Sequence, residues 1–276
     1  MRHSPISAFV VTYNRADTLR TCLAGARFAD ELIVVDKSSS DGSREIAMAI
    51  ADRVVTVPWT PTVEATRALA LALCRHEWVL FLDDDECLPA RAAAAIRAHV
   101  QADSADIYEF PLRHYILGRH DGRAYYWPEH HVRLFRRGAV TFGGTVHAGM
   151  TRHSSRVTRL PADGTVCIHH FSNADVAGWI EKTNRYTGSP DRASISAGAE
   201  GLAAFARDRI DYWFARTDDS EPNGYPAAAA LLRAVYDIVD GLKAWETADG
   251  ADGALLLRRA CAALGAECAA VHATDA

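Results

Sequence analysis

The sequence predicts an α/β fold, a mostly parallel sheet with helices on both faces, followed by a helical C-terminal region. Three observations carry that expectation. Short apolar, β-branched runs alternate with stretches of helical spacing over the first hundred residues. Each run is almost continuously apolar, as strands covered on both faces are. Three of the runs end in polar clusters, at 12–15, 36–41 and 83–86. Ligands of such sheets bind beyond the carboxyl ends of the strands, so clusters at equivalent ends mark one candidate site.

The elements follow in order. Residues 6–12 (ISAFVVT) read as a buried strand that stops at Tyr13, Asn14 and Arg15. A helix is predicted over 17–27, with Asp17 as N-cap and Leu19, Cys22, Leu23 and Ala26 on one face. A strand at 31–35 is broken by Asp36-Lys37-Ser38-Ser39-Ser40-Asp41-Gly42. A short helix over 43–51, a strand over 53–57, a helix over 62–76 and a strand over 78–82 complete the alternation. Beyond residue 100, segments 106–114, 123–127, 131–136, 139–146 and 165–170 read as strands or extended loops rich in Arg, His and aromatic residues. From about 174 the chain is Ala-rich and helical, with a polar break at 216–226. The stretch 247–276 is weakly amphipathic, suited to loose packing or to association as a homodimer. This gives a first domain over 1–172 and a helical region over 173–276.

Composition narrows the function. Of 276 residues, 49% are hydrophobic, ample for a packed core. A net charge of −5 provides no basic field for nucleic acid. The six cysteines include no C-x-x-C pair, which argues against a zinc knuckle or thioredoxin-like site and for reduced thiols. The N-terminus runs directly into a core strand without a signal-peptide core, and no apolar stretch is long enough to span a bilayer. A cytoplasmic protein is expected.

The sequence FLDDDECLP sets four carboxylates side by side after a buried strand. Their mutual repulsion favours a neutralising cation, and oxygen ligands suit Mg²⁺ or Mn²⁺. Simple strand alternation would place Asp83 and Asp85 on one side, with Asp84 and Glu86 on the other.

ISAFVVTYNRADTLRTCL, ELIVVDKSSSDGS and HEWVLFLDDDE, in this order, resemble the successive signatures of glycosyltransferase family 2, which has the GT-A fold. Downstream, WPEHHVRLFRRG, GGTVHAG, IHHFSN and LKAWE are similar to the bacterial branch containing lipopolysaccharide-core glucosyltransferases. The resemblance implies an inverting hexosyl transfer from a nucleotide diphosphate sugar, most often a UDP-sugar, with a divalent cation. Carried over by position, Thr12, Tyr13 and Asn14 would border the nucleotide, Asp36 would accept from the base, and Arg67 would lie near the base and phosphates. Asp83 and Asp85 match the D-x-D pair. Asp85 would touch the metal directly, and Asp83 would lie nearer the ribose or a metal-bound water. Asp84 and Arg133 are counted with the donor-binding set, Arg133 as one of three arginines able to face the departing diphosphate. His170, preferred over His169, would complete the metal shell, and Lys182 and Arg185 could reach phosphates.

Two departures stand out. The branch usually has histidine-glutamate where this chain has His147-Ala148, and the loop after Asp36 reads Lys37-Ser38-Ser39-Ser40. Without a glutamate at 148, Glu129 and His147 are the candidates for the general base, ahead of His130 and His131. The acceptor is a lipid-linked saccharide or a soluble small molecule or peptide. The interleaved arginines and aromatics of 200–215 permit peripheral contact with a membrane. Rival readings are a nucleotidyltransferase, disfavoured because VVTYNRADT lacks glycine, and a catalytically silent nucleotide-sugar-binding protein.

Overall fold

A computed structural model of the chain describes residues 4–60, 63–143, 149–188, 201–218 and 224–274. Strands β1 (Ile6–Thr12), β2 (Glu31–Asp36), β3 (Arg53–Thr56) and β4 (Trp78–Asp83) alternate with helices α1 (Ala16–Ala26), α2 (Ser43–Ile50) and α3 (Glu64–Leu73). There follow β5 (Glu86–Cys87), α4 (Ala92–Ala102), β6 (Ile107–Ile116), β7 (Glu129–Arg136), β8 (Val140–Phe142), β9 (Met150–Arg152), β10 (Val157–Arg159) and β11 (Ile168–Asn173). Helices α5 (Val176–Thr187), α6 (Leu202–Phe214), α7 (Tyr225–Asp249) and α8 (Gly253–Thr274) end the chain.

The main sheet runs β3-β2-β1-β4-β7-β6-β11-β5, with β10 also on β6, while β8 and β9 form a separate ribbon. The first four strands are mutually parallel; β7 is antiparallel to both β4 and β6. Alternation divides the core into two layers. Ile6, Ala8, Val10, Trp78, Leu80 and Leu82 pack beside α1 and α4, whereas Phe9, Val11, Val79 and Phe81 pack beside Ala70 of α3 and Cys74 just after it. Asp83 continues the second series past Phe81 and emerges on the α3 side.

Several predicted details are corrected. Helix α1 begins at Ala16, and Asp17 sits in its first turn. Its leading amides are satisfied from another strand end: Ala16 N–H donates to Asp41 (3.0 Å) and Arg15 N–H to the Ser43 hydroxyl (2.8 Å). The aromatic stretch 123–127 forms turns instead of a strand, with Tyr126 buried against Trp179 and Ala229. That cluster anchors α5 and α7 to the sheet. Helix α6 lies on α7 where Gly241 admits the Phe205 ring; a Cβ there would collide with the ring edge. Cysteines 22, 74 and 167 are buried free thiols, Cys87 is half-buried, and Cys261 is exposed. Among the described residues no helix is long and apolar enough to cross a membrane.

At the opposite edge of the sheet from the polar clusters, Glu31 braces β1 and β2. Its carboxylate, 3% exposed, accepts from the Ser7 hydroxyl (2.5 Å) and from Arg75 N–H (3.0 Å) and Nε (2.6 Å). Burial would raise its pKa, but the Ser7 and Arg75 bonds outweigh it and hold the carboxyl below its ordinary range. A lowered folded-state pKa contributes stability above the unfolded carboxyl's titration, and that contribution is lost as pH falls through the folded value. Glu31→Gln should therefore cost about 1.5–3 kcal/mol near neutrality. In urea titrations the gap between variant and wild type should close below pH ~4.

Candidate active site

The ends of β1, β2 and β4 assemble the site. Thr12 pairs in register with Asp36, and its neighbour Val11 with Asp83, so Asp36 and Asp83 lie on the same edge, two strands apart, roughly 10 Å. Asp36 is fully buried and oriented by the Ser39 N–H at 3.1 Å. Thr12 is likewise buried. Asn14 holds the two loops together, its N–H donating to the Ser39 hydroxyl (3.0 Å) and its amide oxygen accepting from Ser40 N–H (2.8 Å). Asn14 and Ser38 both take left-handed backbone, φ +51° and +61°, a cost concentrated at this one loop pair. Lys37 turns away and donates to the Thr60 carbonyl (2.5 Å). Tyr13 is exposed, and its ring centroid lies 6.0 Å from that of Trp59, also exposed.

The acidic run does not alternate as an extended strand would. Residues 84 and 85 form a turn between β4 and β5, so Asp83 and Glu86 share one side while Asp84 and Asp85 share the other. Glu86, 1% exposed, grips Arg133 through two bonds of 2.6 and 2.7 Å and accepts the Asp83 N–H at 3.1 Å. Arg133 rests 4.4 Å over the Phe81 ring and reaches Asp83 at 3.4 Å. Arg67 pairs with the other Asp83 oxygen. Burial would raise Asp83, but the two guanidiniums outweigh it and hold its carboxyl far below the usual range. Arg133 is thus committed to Glu86 and Asp83. Of its neighbours, Arg137 donates to the Cys74 carbonyl (2.7 Å) and Arg136 lies over Trp78.

On the other side, Arg15 lies 3.8 Å from Asp84 and 3.4 Å from Asp85. Burial and the adjacent Asp85 carboxylate push Asp84 up to about 7. Asp85 faces His170 Nε2 at 3.4 Å. Burial would raise Asp85 too, yet His170 and Lys182 leave it below its ordinary value. His170 is in turn opposed by burial and raised overall by Asp85. Strand pairing fixes this contact: β5 and β11 join at Glu86 and His170, and Phe171 N–H donates to the Asp85 carbonyl (2.8 Å). Asp85 and His170 offer an oxygen and an imidazole nitrogen close enough to bind one ion, a pair of donors that fits Mn²⁺ or Mg²⁺. Among the described residues, three such groups converge within 4.8 Å only at His114, Glu129 and His131.

A row of side chains leads on from His170. Its Nδ1 lies 2.7 Å from His114 Nδ1, and His114 Nε2 lies 3.0 Å from Glu129. The second Glu129 oxygen lies 3.0 Å from His131 Nε2. The strands dictate the row: His170 and His114 are register partners, and Glu129 and His131 alternate onto one face of β7. Burial lowers the pKa of His114 despite Glu129. Burial opposes ionisation of Glu129, but His114 and His131 prevail and keep it an anion. A cleft of about 360 Å³ opens here, lined by Asp83, His114, His131, Arg133, Arg152 and His170.

The structure therefore gathers Thr12, Tyr13, Asn14, Asp36, Arg67, Asp83, Asp84, Asp85, Arg133, Glu129 and His170 at one end of the sheet. His147 and Ala148 lie outside the described residues. Arg15, Trp59, Glu86 and His114 join the site without having been assigned a role from sequence. Arg15 and Glu86 had a signal, their places in the first and third polar clusters.

Residues 7–158 match the family described as glycosyl transferase family 2. An uncharacterized glycosyltransferase of Rickettsia bellii is 26% identical over 220 residues, 76% of this chain and 74% of that protein. The lipopolysaccharide core biosynthesis glycosyltransferase LpsC of Rhizobium meliloti is 27% identical over 197 residues, 66% and 69% of the two chains. Among solved structures, S. aureus TarS 1-349 aligns with a TM-score of 0.49 at 14% identity, covering 88% of this chain and 92% of that one.

Proposed function

The chain belongs to glycosyl transferase family 2, and from that premise we propose that it transfers a hexosyl group, with inversion, from a UDP-sugar to a hydroxyl acceptor. The observation that carries this reading is the single-edge convergence of Asp36, Asp83, Asp84 and Asp85 with His170 facing Asp85. Asp36 suits the base, since a carboxylate accepts from a uracil N–H. Tyr13 and Trp59 offer aromatic faces beside it. Asp85 and His170 would hold Mn²⁺ or Mg²⁺, which when bound supplies positive charge for the diphosphate. Arg15 and Lys182, both acting on Asp85, add cationic side chains there. Asp83, tied to two arginines, faces the donor as an oriented acceptor.

Inversion requires the acceptor to attack opposite the departing diphosphate, with a base beyond it. Glu129, across the cleft and anionic, is assigned that proton. His147 is the other candidate. The acceptor is a lipid-linked saccharide, the class that the name of LpsC suggests for that relative, or a soluble small molecule or peptide.

A thermal-shift screen of UDP, GDP and CDP, each with and without Mn²⁺, tests the reading. At about 100 times its Kd, UDP with Mn²⁺ should stabilise the fold by about 2.7 kcal/mol, raising Tm by roughly 5–10 °C. If no nucleoside diphosphate shifts Tm with the metal, the donor-binding reading is wrong.

A further inference from the structure

We propose that His114 is a positioning residue that couples the acceptor-side carboxylate Glu129 to the cation-holding face of His170. The inference rests on the assignment of Asp85 and His170 to the cation, and extends it to a residue outside that pair.

With a cation on His170 Nε2, hydrogen-bond direction along the row leaves one arrangement. A ring that offers its Nε2 lone pair, on the atom 3.4 Å from Asp85, keeps its proton on Nδ1. At the 2.7 Å contact between the two Nδ1 atoms that proton is donated to His114, whose own proton then lies on Nε2. His114 Nε2 faces a Glu129 oxygen at 3.0 Å, and the carboxylate accepts from it. Glu129 thus supports, through two rings, the tautomer of His170 that can bind a cation. A metal-bound histidine ordinarily fixes its tautomer by donating from its other nitrogen to an oxygen acceptor. Here a second imidazole relays that acceptor from the opposite wall of the cleft. The packing around His114 holds it in this relay position, since its ring is 12% exposed and stands edge-on against His170 and Tyr126.

The coupling predicts that Mn²⁺ affinity depends on Glu129, but only while His114 is present. Free Mn²⁺ is measured by EPR in the presence of saturating UDP, for wild type, His114→Phe, Glu129→Ala and the double variant. His114→Phe keeps the ring volume and should weaken Mn²⁺ binding roughly tenfold. Glu129→Ala should weaken it less, and should add nothing in the His114→Phe background. An affinity within twofold of wild type for a folded His114→Phe, or losses that add in the double variant, overturns the coupling while leaving the cation site intact. Wild type that takes up no Mn²⁺ overturns both. Should His114→Phe fail to fold, His114→Asn replaces it: the amide oxygen can accept from His170 but the side chain cannot reach Glu129. In that background Glu129→Ala should leave Mn²⁺ affinity unchanged, and a loss equal to that in wild type refutes the relay.

Discussion

Asp85→Asn should lower kcat/KM for Mn²⁺-dependent hydrolysis of the UDP-sugar by roughly 10³, about 4 kcal/mol of transition-state stabilisation. The substitution keeps shape and hydrogen-bonding capacity but removes one unit of charge where the structure concentrates it. Asp85 is 6% exposed, so little solvent screening softens the loss. Its backbone carbonyl remains bonded to Phe171 N–H, so β5 and β11 should stay paired and the fold intact. The decisive comparison is therefore activity and metal-dependent UDP binding against unliganded Tm. Loss of both activities with Tm unchanged supports the assignment. Metal-dependent turnover within tenfold of wild type would remove Asp85 from the centre of the site.

The second large effect is on stability. Glu86→Ala strands the Arg133 guanidinium, which is 6% exposed and, among the described residues, otherwise bonds to Asp83 and the Val132 carbonyl and lies over the Phe81 ring. Removing one partner of a buried pair costs about 3–5 kcal/mol, because the remaining charge stays desolvated. In a chain of this size that lowers Tm by roughly 10 °C. Arg133→Met should cost a similar amount by stranding Glu86. The double variant Glu86→Leu with Arg133→Met should recover most of the loss, since apolar groups of similar volume replace a buried pair at little cost. It should not recover activity, because Asp83 loses one of its two guanidiniums. Denaturant titration of the three variants measures the cycle. Additive losses would show that the pair is not coupled.

What the sequence reveals and what it hides have physical causes. Strands β1, β2 and β4 are legible because parallel strands covered on both faces must be apolar almost throughout, so the first polar residue marks the strand end. Thr12, Asp36 and Asp83 are those residues. Alternation misassigns the pairing of the acids because it presumes an extended chain, whereas 84 and 85 turn. Glu86 consequently joins Asp83 on Arg133 instead of sharing a side with Asp84. The stretch 123–127 reads as a strand from its aromatics, yet those side chains are consumed in packing α5 and α7 onto the sheet. His114 carries no local signal at all. Its role depends on β11 and β7 lying on either side of β6, an order no motif spells out. Trp59 is hidden for a similar reason, since only the return of β3 beside β2 brings it to Tyr13.

The closure of Asp85 by β11 also has a temporal meaning. On the ribosome, strands β1, β2 and β4 emerge and can pair before β11, so the nascent chain passes through a stage with Asp36 and Asp83 on one edge and no histidine beside Asp85. The stretch that identifies the family ends at 158, before β11 begins at Ile168. Lineages could therefore exchange the segment that brings His170 to Asp85 without losing the signature by which the family is recognised.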